Sequence, residues 1–417
     1  MGLIKSEMNS RRWLAQLTKS LFAVIFPIFL TSPAATAQIA DWQSLEQEAR
    51  GQTVYFYAWA GDPRMNAFIS WAAQQVQQQY GVTVQHVKIA DAAEIVTRVL
   101  AEKQAGNDNN GSGDLIWLNG ENFAAMKTNN LLHPAWTEGL PNYALLDAAN
   151  NPDLLEDFTV PVEGLESPWA RAQLVFYFDS ELISTPPRSI TDLLQWAQQH
   201  PGEFTYPRPP NFLGSTFLKQ ALLELSDSPQ LLYAPMQQAD FAAASAKLWE
   251  YLDSLHPLLL RSGRYFPASG PELRRLMGDS EISLALSFNP FEAVAGIASG
   301  ELPASVRAYV LETGTVSNVN FVTIPFNAQH AAGAMVLANF LLSPLAQSHA
   351  QDPAVLGNTT VLAVDKLPAA ARALFREVDL GPAFPSADEL QRKLPEPHPS
   401  WMPALEQEWL SRYSGRQ

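Results

Sequence analysis

The pattern of apolar and polar positions predicts alternating strands and helices in the first third of the chain. Short runs rich in apolar, β-branched and aromatic residues indicate strands at 53–59, 82–88 and 114–118. Between them, residues 63–80 and 94–104 fit helices. Strands that alternate with helices in this way usually pair in parallel, so the order predicts a parallel α/β sheet.

Polar and aromatic side chains follow two of these strands. Ligands of such sheets bind at the carboxyl ends of the strands, so the segments after 59 and 118 are candidate binding loops. The candidate residues there are Trp59, Asp62, Asn66, Asn119, Glu121 and Asn122. Each also has an ordinary structural alternative, because Trp59 could pack in a core and the acids and amides could cap helices.

The rest of the chain continues the alternation less regularly. Further strands are predicted at 174–178, 281–288 and 321–324, and helices at 191–199, 238–255, 271–277, 291–297 and 331–342. Residues 212–225 are predicted to form a turn that leads into an amphipathic helix. The Ala-rich helix 331–342 is shorter than a membrane span, so we expect it to be buried. Residues 141–172 are rich in proline and acids and show little helical period.

The N-terminus has the layout of a secretory signal peptide. Four basic residues precede an apolar run at 21–30, and Ala35, Thr36 and Ala37 supply small residues for cleavage. We expect cleavage after Ala37 and a mature protein free in solution outside the cytoplasmic membrane; the alternative is an uncleaved N-terminal anchor helix. The chain has no cysteine, so no cysteine-linked lipid anchor is possible.

Composition narrows the possible functions. The formal net charge is −15, and it is −18 without residues 1–37, which carry four basic residues and one acid. Such a charge disfavours nucleic acid and anionic lipid as partners. The absence of cysteine excludes disulfides and thiolate metal sites, and the scattered histidines form no metal-binding motif. We therefore expect no metal and no cofactor.

Three segments together resemble a known family. Residues 314–351 read as a strand, a turn and a small-residue helix followed by Leu-Ser-Pro-Leu-Ala-Gln, and 173–182 (QLVFYFDSEL) and 281–290 (EISLALSFNP) are similar to its crossover strands. This order resembles the periplasmic solute-binding proteins of ABC importers, extracellular solute-binding protein family 1. Residues 119–123 and 165–169 also resemble the thiamine-binding-like branch of this family.

The resemblance implies a two-lobed type II periplasmic binding protein, in which each lobe is a mostly parallel sheet flanked by helices. It places lobe one at 38–165 plus 290–350, lobe two at 166–289, and a helical tail at 351–417 that packs on the lobes. The ligand would lie in the cleft between lobes that close by hinge bending. The partners would be a small polar solute and a membrane permease with its ATPase, and the protein would be a monomer without membrane insertion.

Further candidate residues lie near the predicted hinge and in the second lobe. They are Trp169, Arg171, Tyr206, Ser215, Thr216, Asn289, Asn318 and Asn320. Arg171 could instead form a salt bridge across the hinge, Ser215 and Thr216 could cap the helix that they are expected to open, and the asparagines could form turns.

The sequence leaves the charge of the solute open. Asp62, Glu121, Trp59 and Trp169 favour a cationic or aromatic solute such as a thiamine-like compound or a polyamine, whereas Arg64, Arg171 and Arg208 favour an anion. The principal alternative function is a secreted hydrolase that uses Glu121 as general acid with Asp62 or Glu166. A chaperone-like interaction module is a third hypothesis, which the absence of repeats and heptads disfavours.

Overall fold

The computed structural model describes residues 42–375 and 380–414, so the predicted signal peptide lies outside the described residues. The α-helices are α1 Trp42–Ala49, α2 Pro63–Tyr80, α3 Ala93–Gln104, α4 Glu121–Thr128, α5 Ile190–Gln199, α6 Phe212–Leu225, α7 Phe241–Leu255, α8 Gly270–Gly278, α9 Glu292–Ser299, α10 Ala331–Leu341, α11 Pro344–Gln351, α12 Ala369–Arg372, α13 Ala387–Leu390 and α14 Trp401–Tyr413. The strands are β1 Thr53–Trp59, β2 Thr83–Ile89, β3 Leu115–Leu118, β4 Glu156–Asp157, β5 Val160–Pro161, β6 Glu166–Gln173, β7 Val175–Asp179, β8 Leu284–Ser287, β9 Val306–Tyr309, β10 Thr315–Thr323 and β11 Lys393–Leu394.

The larger sheet forms the first lobe. Its strand order is β11-β10-β3-β1-β2, and β6 also pairs with β10. β1 is parallel to β2 and β3, which confirms the predicted parallel arrangement, whereas β10 is antiparallel to β3 and β6. Helix α2 begins where the sequence predicts, because Asp62 caps it and Pro63 starts it, and it ends at the left-handed Gly81.

Helix α10 crosses the core of the first lobe. Ten of its residues, from Ala332 to Leu341, are buried, as predicted for this Ala-rich segment. Over the described residues, no single helix has the length and apolar composition of a membrane span. Helices α10 and α11 meet those criteria only as a pair, and a 56° bend separates them.

The smaller sheet forms the second lobe. β7 is its central strand and is antiparallel to both β8 and β9. Helix α6 is buried almost along its whole length against this lobe's core, which also contains Trp401 and Trp409 of α14. The C-terminal helix is therefore part of the second lobe, whereas residues such as Ala346 and Leu367 pack in the first lobe.

Strands β6 and β10 connect the two lobes. On β10, Val316 packs in the core of the second lobe and Val319 in that of the first. On the paired strand, Ala170 lies in the first core, and Leu174, just after β6, lies in the second. The chain therefore has two lobes, with an antiparallel ladder running from one to the other.

The strand pairing places the boundaries between the lobes at different residues from those predicted. Residues 166–173 were expected in lobe two but form β6 of the larger sheet, and 306–309 were expected in lobe one but form β9 of the smaller sheet. The first change of lobe thus falls near Leu174 rather than after 165, and the second near β10 rather than at 290. Neither β6 nor β9 was predicted as a strand.

Candidate functional site

The loop after β1 holds three of the predicted site residues. The Trp59 indole folds over Gly61, where a Cβ atom would lie 2.3 Å from the ring, and its edge faces Trp117 with ring centres 6.5 Å apart. The Asn66 amide donates to the Ala60 carbonyl at 3.0 Å. Trp59 remains partly exposed at the end of its strand, whereas Asn66 stabilises the loop itself.

Asp62 joins an ionic network that links the lobes. It caps α2 by accepting from the Arg64 backbone N–H at 2.7 Å, as predicted, and its carboxylate lies 3.6 Å from Arg274 of the second lobe. Arg274 also pairs with Glu292 at 2.6 Å, and Arg64 reaches Glu292 at 3.7 Å. Burial acts to raise the pKa of Asp62, but the hydrogen bonds and charge of Arg64, together with Arg274, outweigh it and lower the pKa.

The turn after β3 positions Glu121 at the first position of α4. Gly120 has φ 60° and ψ −119°, a conformation that glycine adopts readily and other residues avoid. Its N–H donates to the buried Asp157 carboxylate at 2.6 Å, and the Phe158 ring packs so closely that a Cβ on Gly120 would lie 2.7 Å away. The Glu121 carboxylate accepts from Asn122 at 3.0 Å.

Lys219 of α6 lies between the lobes, and its side chain is only 1% exposed. Its ammonium is 4.5 Å from the ring centre of Phe158 in the first lobe and 4.9 Å from that of Phe212 in the second. The same nitrogen lies 2.7 Å from Glu396 Oε2, and Asn318 on β10 donates to Glu396 Oε1 at 3.0 Å. Aromatic faces and a carboxylate thus surround a buried ammonium.

Four carboxyl groups lie within the electrostatic reach of this ammonium. They are Glu121, Asp157, Glu396 and Glu406, and in each case the positive charge of Lys219 acts to lower the pKa. Burial has the larger, opposite effect, and it raises the pKa of Glu121 and of Glu406 to about 7. Glu406, on α14, accepts from Ser215 Oγ at 2.5 Å, and its negative charge helps to raise the pKa of Glu121.

The structure brings several predicted residues to this acidic cluster, which we define as Glu121, Asp157, Lys219, Glu396 and Glu406. Glu121 belongs to it, Asn122 and Asn318 bond to its carboxylates, and Ser215 bonds to Glu406. Asn119 and Asn320 lie nearby on the first lobe but serve its framework, because Asn119 donates to the Val319 carbonyl at 2.6 Å and Asn320 accepts from Trp117 at 3.2 Å.

Three predicted site residues lie elsewhere and are corrections. Trp169 is 3% exposed and packs in the first core against Trp117. Arg171 forms a salt bridge with Asp153 of its own lobe. Tyr206 is fully buried in the second core, where its hydroxyl bonds to His256 at 2.7 Å and accepts from Trp409.

Two further expectations also change. Helix α6 begins at Phe212 with Asn211 as its cap, so Ser215 and Thr216 do not open it. The Ser215 N–H already bonds to the Asn211 carbonyl, and the Thr216 hydroxyl bonds to the Phe212 carbonyl. Asn289 forms a turn by accepting from the Phe291 N–H at 3.0 Å.

Sequence reasoning missed most of the acidic cluster. Glu396 and Glu406 lie in the segment that was expected to be a packing tail, and Asp157 lies in an irregular, acid-rich region. One available signal was Lys219, a single cation inside the otherwise apolar or neutral stretch FLGSTFLKQALL. A lysine that is buried on a helix of this composition needs a compensating carboxylate, which marks the position as unusual.

Comparison with known proteins decides the family. Residues 71–371 match the model of the bacterial extracellular solute-binding proteins. The chain belongs to that family. It is also 44% identical over 374 residues to "Protein YnjB" of Escherichia coli, an alignment that covers 90% of this chain and 94% of that protein.

Solved structures show the same two-lobed fold. One is described as a spermidine/putrescine ABC transporter protein of Listeria monocytogenes (TM-score 0.63, 18% identity, covering 88% of this chain and 99% of that one). Another is the periplasmic binding protein AfuA of Actinobacillus pleuropneumoniae with bound fructose-6-phosphate (TM-score 0.59, 16% identity, covering 87% and 99%). The predicted fold class is confirmed, and the chain is a bacterial extracellular solute-binding protein.

Proposed function

We propose that the solute captured by this binding protein is a small cation, held between the lobes by Glu121 and Glu406. The observation that carries the proposal is the composition of the acidic cluster, in which one ammonium, 2.7 Å from Glu396, acts electrostatically on four buried carboxyl groups. Glu121 comes from the first lobe and Glu406 from the second. A cation between them would contact both lobes and would therefore favour their closure.

Electrostatics supports a cation over an anion. Burial disfavours the charged forms of Glu121 and Glu406, and a positive solute would restore them by direct pairing. A thiamine-like compound and a polyamine both belong to this class of solute.

Two of the three arginines that favoured an anion are already paired, because Arg64 pairs with Asp62 and Arg171 with Asp153. Arg64 also lies with Arg274 among Asp62, Glu292 and Glu301, where three carboxylates face two guanidinium groups. This network supports a role in holding the lobes together rather than in binding a negative solute.

The geometry gives little support to the hydrolase alternative. The Asp62 carboxylate is paired with Arg64 and Arg274, and Glu166 is fully buried at the start of β6. Neither suits a partner carboxylate that must act on substrate beside Glu121. We propose a binding protein without catalysis, which delivers its solute to a membrane permease as a monomer.

The cellular location is a further part of the proposed function. We propose that residues 1–37 direct export, that cleavage follows Ala37, and that the mature protein works in the periplasm of a Gram-negative bacterium. The basic start and the apolar run at 21–30 support this proposal.

The test begins with the solute that the protein retains. Native mass spectrometry of residues 38–417, purified without refolding, should detect a bound small molecule with at least one positive charge; if none is retained, a thermal-shift screen should find a cation that raises the melting temperature. Retention of an anion, or stabilisation by anions alone, would contradict the proposal.

A charge-neutral substitution then tests the site. Glu121→Gln should weaken binding of the cation at least about tenfold, equivalent to about 1.4 kcal/mol, while a neutral solute loses much less. The matched control is Glu163→Gln, since the Glu163 side chain is 64% exposed and pairs with Lys127 away from the acidic cluster. Calorimetric titration measures both, and equal losses for cation and neutral solute would refute the role of Glu121.

A further inference from the structure

Lys219 has more hydrogen-bonding capacity than its surroundings satisfy. An ammonium carries three N–H donors. Glu396 Oε2 lies 2.7 Å from Nζ and takes one of these donors, and no other acceptor in the described part of the chain takes the remaining two. The side chain is 1% exposed, so bulk water does not readily replace the missing partners.

The rings of Phe158 and Phe212 do not replace the missing hydrogen-bond acceptors of Lys219. Phe158 and Phe212 face the charge of Lys219 at 4.5 and 4.9 Å, but a ring face is a poor substitute for an acceptor oxygen. Burying a polar group without a hydrogen-bond partner is unfavourable, and this is more so for a charged one. The open donors therefore mark a position where an acceptor from outside the chain would be stabilised.

The donors lie within electrostatic reach of the carboxylates that we assign to the cation. Ser215, one helical turn before Lys219 on α6, bonds to Glu406, and the charge of Lys219 acts on both Glu121 and Glu406. A solute that pairs with those two carboxylates thus also comes close to an ammonium. A second positive group on the solute would be repelled there, and an acceptor oxygen would be attracted.

We infer that the solute carries an acceptor oxygen, a carboxylate or a hydroxyl, which binds Lys219 while its cationic group pairs with Glu121 and Glu406. This inference rests on the proposed function and narrows it, because it selects amino acids and amino alcohols over diamines and simple alkylamines. Lys219 is then a specificity-determining residue rather than only a structural cation.

A series of probes that share one carbon skeleton tests whether an acceptor oxygen on the solute strengthens binding. The full mature chain is titrated with 4-aminobutyrate, 4-amino-1-butanol, butylamine, putrescine and butyrate, and with the homologues one carbon longer and shorter. We expect the amino acid or the amino alcohol to bind at least about tenfold more tightly than the alkylamine and the diamine of equal length.

The variant Lys219→Met removes the donors and keeps an unbranched apolar side chain. It should reduce the preference for the oxygen-bearing probes to nearly one, while Lys247→Met, at an exposed residue paired with Asp227, should leave the preference unchanged. Circular dichroism verifies that each variant is folded. If Lys219→Met does not fold, the series on the unmodified protein decides by itself.

The outcomes separate this inference from the proposed function. Alkylamines or diamines that bind as tightly as the oxygen-bearing probes of equal length, or a preference that survives in Lys219→Met, would overturn the role of Lys219 and leave the cation site intact. Binding of butyrate alone, or of none of the amines, would contradict the cation site itself and this inference with it.

Discussion

Arg274 of the second lobe lies 3.6 Å from Asp62 at the end of the first strand of the first lobe. The Arg274 side chain is 5% exposed and also pairs with Glu292 and Glu301. It therefore brings the charge of three carboxylates together at one junction between the lobes. Two guanidinium groups thus link the lobes, that of Arg64 at 3.7 Å from Glu292 and, with more ion-pair partners, that of Arg274.

Removing that guanidinium should loosen the junction. Arg274→Met leaves buried carboxylates without their partner, and breaking a buried ion pair in this way typically costs about 3–5 kcal/mol. We expect a loss of unfolding free energy of this order and a larger radius of gyration in small-angle scattering. Denaturant titration measures the loss of unfolding free energy.

The neighbouring residue supplies the control. Arg275 is 55% exposed and pairs with Asp279 and Glu281 on the surface of the same lobe, so Arg275→Met should cost less than about 1 kcal/mol. Similar losses in the two variants would show that the Arg274 network does not stabilise the closed lobes.

The position of Glu121 should depend on the glycine before it. Gly120→Ala places a Cβ 2.7 Å from the Phe158 ring and imposes a side chain on a residue with φ 60° and ψ −119°. Conformational strain of this kind costs about 1–3 kcal/mol before any clash. We expect a loss of stability above that range, together with weaker solute binding as Glu121 and Phe158 move.

The variant Gly202→Ala distinguishes the effect of backbone strain from the effect of moving Glu121 and Phe158. Gly202 also has a positive φ of 91°, but nothing lies within 4 Å of an added Cβ. This variant should therefore lose stability through backbone strain alone and keep its affinity for the solute. Weaker binding in Gly202→Ala as well would mean that the effect is global and does not arise from the turn before Glu121.

Local pattern was sufficient for elements whose residues are mostly apolar. The strand at 53–59 has four buried positions and reads as an apolar run, so its bounds follow from the sequence, although Tyr55 within it is exposed. Strand β6 reads differently, because Pro168 and Arg171 interrupt its pattern. Its pairing with β10 tolerates this through a bulge at Trp169, a feature that depends on a strand about 150 positions away.

The sequence predicts the part of the candidate site that the first lobe contributes through Glu121, but not the part opposite it. Glu121 follows a parallel strand, and the rule for such sheets identifies its loop. The opposite side depends on Glu406, from a helix that packs in the second core through Trp409, and on Glu396 beside β11. Which distant segment covers the cleft is decided by tertiary packing, so residue pattern within the tail carries no sign of it.

Solute binding should become tighter as the pH rises through neutrality. Burial raises the pKa of Glu121 and Glu406 from the ordinary value of 4.5 to about 7, so both carboxyls are partly protonated at neutral pH. A cation pairs with the ionised form, and binding therefore releases protons. We expect the affinity to increase between pH 6 and pH 8, by less than tenfold per pH unit for each carboxyl.

The stability of the protein without solute should change in the opposite direction. A carboxyl whose pKa is higher in the folded state than in the unfolded state binds more protons when folded, over the range between the two values. Its contribution to the unfolding free energy is therefore present at low pH and is lost as the pH rises from about 4.5 through about 7.

The protons that solute binding releases are measured by titration calorimetry in two buffers of different ionisation enthalpy. Glu121→Gln should reduce that number, and an affinity independent of pH in the unmodified protein would exclude these carboxyls as the partners of the cation.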